Sequence, residues 1–193
     1  MASGDGVGDE LHLGKEDLGL GRVTEEWVYR LKETSDSTNL KYKARLVAKG
    51  FRQEYGVDFD EIFSSVVKMT TIRFMLGVVA VKILELIQLD VKMEFLHADL
   101  KEEIYMEQPK GFVGSGQEHL VCRLKKSLYG LKQAPRQWYK KFDDFIQSVG
   151  FSKSDEDHRL FTKTARDDSP VFLIIYVDDM LLSGRHTGEL TEL

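Results

Sequence analysis

Cysteine and proline are scarce in this 193-residue chain, with one Cys and three Pro. The lone thiol, Cys122, excludes an internal disulfide framework. Its setting in LVCRL reads as a small buried hydrophobe rather than a reactive group. The histidines at 12, 97, 119, 158 and 186 show no paired spacing, so a Cys/His metal cluster is missing as well. No apolar run approaches the roughly 20 residues needed to cross a bilayer, and the N-terminus has no basic-then-apolar signal pattern. Together these features predict an intracellular protein with no membrane partner. No Gly-rich loop precedes a Lys-Ser/Thr pair and no Gly-x-Ser-x-Gly elbow occurs, which removes two large enzyme classes.

What is present is globular: 42% hydrophobic and 31% charged residues, enough for one ordinary domain with or without tails. The net charge of −5 hides a division. Residues 1–22 carry 2 basic and 5 acidic groups, residues 23–150 carry 20 and 18, and residues 151–193 carry 5 and 9. Two windows contain cations and no acids: Lys41–Arg52 with five, and Arg123–Lys141 with seven. A local field of this kind matters more for binding an anionic polymer than the overall sum, although a solvated face is the plainer explanation of either window.

Residues 1–22, Gly-rich and acidic, read as a disordered leader. WVYRLK and KYKARLVAKG alternate around the polar turn ETSDSTN, which predicts a β-hairpin over 27–50. Alternation puts Lys43, Arg45, Val47 and Lys49 on one side of its return strand. Residues 51–68 read as an irregular connection. Apolar spacing predicts a largely buried helix over Met69–Leu86, capped near Thr70 or Thr71. A short strand follows through Ile87, Leu89 and Val91, with Asp90 on the opposite face. Further strands are expected at 104–107, in HLVCRLKKS and near Leu160–Thr162. Ala134-Pro135 opens a helix over Arg136–Val149 with a core stripe of Trp138, Phe142, Phe145 and Val149, closed by Gly150. The order predicts an α+β fold, an antiparallel-rich sheet with helices on one face.

The stretch VFLIIYVDDMLLSG, 171–184, stands apart. Val171–Val177 reads as a strand buried on both faces, Asp178-Asp179 as a tight turn, and Met180 as the start of a return strand. Asp143-Asp144 and Asp167-Asp168 lie in a helical pattern and a polar loop, where charge costs little. Two carboxylates at the tip of an apolar hairpin repel each other and lose solvation unless a cation sits there. Taken alone, Asp90 reads as a salt-bridged or edge-exposed strand residue and the Asp pair as a solvated turn; carboxylates converging from two adjacent strands would instead make a hard-oxygen site suited to Mg²⁺. Two such ions would serve phosphoryl transfer.

Six collinear motifs carry a resemblance: KARLVAKGFRQ (43–53), FSSVVKMTTIR (63–73), QLDVK (88–92), YMEQPKGF (105–112), KSLYGLKQAPRQWY (126–139) and YVDDMLLSG (176–184). From about Trp27 to Gly184 the chain resembles the reverse transcriptase of copia-type LTR retrotransposons, a portion of a retrovirus-related Pol polyprotein. The resemblance implies the fingers and palm of a right-hand polymerase, with 23–68 as fingers hairpin and connection and 69–184 as palm with fingers segments. It implies an RNA-directed DNA polymerase that takes an RNA or DNA template-primer and deoxynucleoside triphosphates, in the cytoplasm (within a virus-like particle) or the nucleus. Asp90, Asp178 and Asp179 would be the catalytic triad for two Mg²⁺ or Mn²⁺ ions, with the Val91 carbonyl near a metal. Lys43, Arg45 and Lys49 would meet the triphosphate. Phe95 would lie under the incoming sugar and discriminate against a ribose 2′-hydroxyl. Tyr129, Gly130, Lys132 and Gln133 would belong to the template- and nucleotide-positioning loop.

The sequence also departs from that family. Met93 and Glu94 stand where two small residues are usual, and a carboxylate at Glu94 is expected to repel a triphosphate. Ser65 stands where Pro is common. The family continues beyond the catalytic hairpin into a thumb-like region and ribonuclease H, so the chain reads as truncated with the thumb absent. The competing reading is a catalytically inactive remnant acting at most as a nucleic-acid-binding or interaction module.

Overall fold

The computed structural model describes residues 11–14, 22–33 and 40–190. These form two units, one from residues up to Ile62 with Phe95–Gln137, the other from Phe63–Glu94 with Trp138–Leu193.

In the first unit, β1 (Leu11–Gly14), β2 (Arg22–Val23), β6 (Tyr105–Glu107) and β7 (Leu120–Arg123) make a four-stranded sheet in the order β1-β7-β6-β2. Only the β2–β6 pairing is parallel. Within the stretch 1–22, expected to lack structure, Leu11–Gly14 and Arg22 are thus strand residues; its remainder lies outside the described residues. The expected hairpin is β3 (Glu25–Glu33) against β4 (Leu40–Ala48), with Trp27 opposite Leu46 and Arg30 opposite Lys43. The turn 34–39 is outside the described residues. The ribbon is solvated on its apolar side too, Tyr29 being 75% and Tyr42 80% exposed. Its base is anchored where Val23, Ala48, Ile104, Leu131 and Ala134 share a buried cluster. After β4 the chain makes a single 3₁₀ turn at Gly50–Arg52.

The second unit is an antiparallel sheet of β5 (Glu85–Asp90), β8 (Ser152–Lys153), β9 (Leu160–Thr164), β10 (Pro170–Tyr176) and β11 (Asp179–Gly184), ordered β5-β11-β10-β9-β8. Central β10 buries Val171 and Leu173–Ile175, as its unbroken apolar run requires. Opposed residues share a face, and the register puts Leu160, Ile174 and Leu181 on one side and Phe161, Leu173 and Leu182 on the other. Helix α1 (Met69–Lys82) places Met75 against the Ile174 side. Helix α3 (Ala134–Ser148), whose first turn belongs to the first unit, brings Phe142 to 5.9 Å from the Phe161 ring on the other side. The helices therefore flank the sheet rather than share one face. Helical periodicity reports that an apolar stripe exists, not which side of a sheet it covers.

Two helix details also differ from expectation. The stripe of α3 is Trp138, Phe142 and Ile146, spaced by four, while Phe145 is 53% exposed. Helix α1 stops at Lys82 because Ile83 adopts a left-handed conformation (φ 51°) and the Leu84 amide closes back on the Val79 carbonyl, so Leu86 is free to enter β5. Nor is α1 largely buried: Met75 is, but Phe74 is 69% and Val81 83% exposed. Two further short helices are α2 (Glu94–His97) and α4 (Thr187–Leu190). Among the described residues no helix is long and apolar enough to cross a membrane.

The N-terminus of α1 is capped from a distance. Neither Thr70 nor Thr71 is its cap; Lys68 holds that position and offers no side-chain acceptor. Asp157 replaces it: its Oδ2 accepts the Lys68 amide at 2.9 Å and the Thr71 hydroxyl at 2.7 Å, while Oδ1 accepts the Arg159 amide at 3.0 Å. Burial pushes the Asp157 carboxyl up, but these bonds and the Lys68 charge outweigh it and hold the carboxyl below its ordinary value. Arg159, 4% exposed, lies over the Tyr139 ring and donates to the hydroxyls of Ser64 and Ser65. Ser65 thus supplies an acceptor that a proline could not.

Because its folded-state carboxyl is depressed, Asp157 stabilises the fold above the ordinary carboxylate value and loses that effect as pH falls through the folded one. Asp157→Ala is expected to cost about 1–3 kcal/mol near pH 7. The gap between the two proteins, read by denaturant unfolding from pH 7 to pH 3, should narrow below about pH 4.

Candidate functional site

Asp90 is the last residue of β5 and Asp179 the first of β11, and the antiparallel register sets them directly opposite each other. Both therefore project from the same face. The hairpin reverses through Val177 and Asp178, with Tyr176 opposite Asp179, so the return strand starts one residue earlier than expected. Only Val177 of the two turn residues has a positive φ, 60°, as in a type II′ turn, where Gly is the usual occupant. A β-branched residue there costs about 1–2 kcal/mol. Two bonds hold the turn. Trp138 Nε1 donates to the Val177 carbonyl at 2.9 Å, and the Val91 amide donates to the Asp178 carbonyl at 3.0 Å, carrying the ladder past the end of β5.

Asp90 and Asp179 are exposed and Asp178 is half-buried, so these carboxylates keep much of their hydration, contrary to expectation. What remains is mutual repulsion. Facing Cβ atoms lie about 5 Å apart, where two charges in water-like surroundings cost about 1 kcal/mol. Gln88 offsets part of it, its Nε2 donating to Asp179 Oδ1 at 3.2 Å. Among the described residues no three His, Cys, Asp or Glu side chains gather at metal-binding distance. The site is thus a facing pair with Asp178 alongside. An exposed pair of hard oxygen donors fits a cation that takes one or two carboxylates and completes its shell with water and phosphate oxygens, as Mg²⁺ does.

The remaining expected residues lie in the first unit. Tyr129 bridges to Val47, and its carbonyl accepts the Ala48 amide at 2.7 Å. Its ring meets Phe95 edge-on at 5.2 Å and the Arg45 guanidinium at 5.7 Å. Arg45, Phe95 and Tyr129 therefore form one group at the base of the ribbon. Gly130 (φ 90°) is packed so closely that a Cβ would lie 2.0 Å from the Ala48 carbonyl oxygen, and a Cβ on Gly50 would lie 2.0 Å from the Gly130 oxygen. Both glycines are required by this backbone approach.

Three expected contact residues are used internally. Lys49 pairs with Glu26 at 3.6 Å. Lys132 Nζ donates to the Gln53 carbonyl at 3.0 Å and sits 4.7 Å from the Phe59 ring centre. Gln133 is fully buried, accepting from Gln53 Nε2 and donating to the Asp58 carbonyl, both at 3.0 Å. Lys43 is half-buried on the cationic side of the ribbon. Glu94, expected to confront a triphosphate, is 6% exposed. Sequence reasoning missed the bracing bonds of Gln53, Trp138 and Asp157, because an amide, an indole N–H or a carboxylate that holds a distant backbone group leaves no local periodicity. KGFRQ, shared with the resembling family, was the one signal that could have pointed to Gln53.

Comparison with known proteins agrees with the motif pattern. A family model described as reverse transcriptase (RNA-dependent DNA polymerase) matches residues 14–193. The chain is 54% identical over 168 residues to the retrovirus-related Pol polyprotein from transposon TNT 1-94 of Nicotiana tabacum, covering 87% of this chain and 13% of that protein. It is 45% identical over 161 residues to the corresponding polyprotein from transposon RE2 of Arabidopsis thaliana, covering 83% and 11%. The figure for transposon RE1 of the same plant is 44% over 158 residues, covering 82% and 11%. The chain thus spans 13% or less of the length of these relatives. No solved structure matches it significantly. With its sheet-rich α+β architecture and its six motifs in order, the chain belongs to the reverse transcriptase family, as a domain of the copia-type retrotransposon Pol polyproteins.

Proposed function

We propose that this domain carries the fingers and palm functions of an RNA-directed DNA polymerase, with Asp90, Asp178 and Asp179 as its catalytic carboxylates. The observation that carries the reading is the facing, exposed Asp90–Asp179 pair at a braced hairpin tip. In the reaction the primer 3′-hydroxyl gives up its proton to water and its oxygen attacks the α-phosphorus of a deoxynucleoside triphosphate. The bond to the bridging oxygen breaks and pyrophosphate leaves. Two divalent ions held by Asp90, Asp179 and Asp178, with the Val91 carbonyl close by, would supply charge neutralisation and polarisation of the reacting oxygens. The Val177–Asp178 turn, fastened by Trp138 and Val91, keeps the carboxylates from moving when ions and substrate arrive.

On the nucleotide side, Arg45 offers a permanent cation to the triphosphate, with Lys43 on the same side of the ribbon. Phe95 and Tyr129 form an edge-to-face aromatic pair for the sugar and base. The cationic windows 41–52 and 123–141 would bind the template-primer backbone in a salt-dependent manner. Lys132 and Gln133, whose polar atoms are already engaged, act here as support for the loop rather than as direct contacts.

Primer extension on poly(rA)/oligo(dT) with Mg²⁺ or Mn²⁺ tests the reading. The unsubstituted chain should incorporate nucleotide, and Asp90→Asn or Asp179→Asn should lower the rate at least about 10³-fold, equivalent to about 4 kcal/mol in the barrier, with template-primer affinity little changed. Salt-dependent template-primer binding with no incorporation at either metal would instead favour a nucleic-acid-binding module without turnover.

Burial of Glu94 changes the expectation for that departure. A carboxylate withdrawn from solvent is not presented to a ligand, so Glu94→Ala should leave the nucleotide KM within about threefold. A fall of tenfold or more, about 1.4 kcal/mol, would restore the repulsion argument.

A further inference from the structure

We propose that Gln53 is the positioning residue that seats the Leu128–Gln133 loop, and with it the Tyr129 ring, against the base of the β3–β4 ribbon. The inference rests on the polymerase reading for what Tyr129 does, and on geometry alone for what Gln53 does.

Gln53 is 4% exposed and uses both ends of its amide. Its Oε1 accepts the Lys132 backbone amide at 2.8 Å, and its Nε2 donates to Gln133 Oε1 at 3.0 Å. Its own carbonyl accepts Lys132 Nζ at 3.0 Å. Gln133 passes the connection on, its Nε2 donating to the Asp58 carbonyl at 3.0 Å. Four bonds thus tie residues 132–133 to residues 53–58, across about 80 positions of sequence. No other side-chain type fills this place. The loop offers one donor (an amide N–H) and one acceptor (an amide oxygen), and only a primary amide of this length answers both without charge. Glutamate would oppose its oxygen to Gln133 Oε1 unless protonated, and Lys or Met would leave a buried polar atom unpaired.

What the network fixes lies three to four residues back along the loop. Gly130 and Gly50 abut with no room for a side chain, and the Tyr129 carbonyl holds the Ala48 amide at 2.7 Å. The loop is thereby pinned at both ends, leaving the Tyr129 ring between Phe95 and Arg45. Such a ring is held in register by its backbone rather than by burial, since Tyr129 itself is only half-buried. Freeing residues 132–133 would let it wander, lowering nucleotide affinity while the aspartate pair, in the other unit, keeps its geometry.

The test compares the unsubstituted chain with Gln53→Ala and Gln53→Glu by two independent readouts. The first is amide hydrogen exchange. Gln53→Ala should speed exchange at Lys132 and Ala48 at least tenfold, with Leu173 and Leu182 of the second unit unchanged. Unaltered protection at Lys132 and Ala48 would overturn the proposal whether or not the chain polymerises. The second is steady-state incorporation. Positioning raises the nucleotide KM about tenfold in Gln53→Ala with kcat per folded molecule preserved, whereas a merely structural role lowers the folded fraction and leaves KM unmoved. Gln53→Glu should show a smaller KM defect as pH is lowered from 8 to 6, because protonation restores a donor toward Gln133; a defect independent of pH would contradict the bonding scheme. Should the unsubstituted chain incorporate nothing, the polymerase reading fails and the exchange experiment still decides the role of Gln53.

Discussion

The β5–β11 register decides whether this protein has a site at all. Side chains alternate along a strand, so slipping one strand by a single residue would send Asp90 and Asp179 to opposite faces. Nothing within the carboxylate pair opposes that slip, since like charges favour separation. The register is held instead by what surrounds it. Leu182 and Leu181 face Ile87 and Gln88 in the ladder, β10 locks β11 on its other side, and the Val91–Asp178 bond continues the pairing beyond the carboxylates. The strained Val177 belongs to the same system. A turn that costs energy locally persists because two flanking strands and the Trp138 indole over-determine it.

A second theme recurs in both units: backbone that lacks a regular partner is satisfied by one buried polar side chain from far along the sequence. Asp157 caps α1, Trp138 secures the hairpin tip, and Gln53 with Gln133 fastens the loop bearing Tyr129. Such braces are individually modest, because folding exchanges water bonds for protein bonds. Their importance is in precision, for each fixes backbone groups that no helix or ladder bond holds.

Most of the regular structure could be read from the sequence, and the reasons are local. The unbroken apolar run of β10, the alternation of β3 and β4 and the Ala134-Pro135 helix start each carry their own period or stop signal. The residues themselves offer Asp90 as a partner for the hairpin acids only as one alternative, and the family motifs strengthen it, because 89 residues of sequence separation carry no distance information. What the sequence misled about was environment. The apolar content of α1 suggested burial, yet much of its surface is open, and the carboxyl pair suggested desolvation where both groups are hydrated. Lys132 and Gln133 are placed in the template- and nucleotide-positioning loop by the family resemblance alone, which says nothing of exposure, and Gln133 is among the most buried of the described residues. Burial is a property of the assembled fold, and composition gives only its average.

Among the described residues β5 is an edge strand, with one side of its backbone unpaired and Leu86 and Leu89 both about 40% exposed. Exposed Phe74, Val81 and Ile83 belong to the adjoining segment of chain. An open edge flanked by apolar surface is a template for strand addition by any chain that presents a complementary one. A strand added there would run alongside Asp90, so whatever paired with this edge of the sheet would sit beside the carboxylate pair.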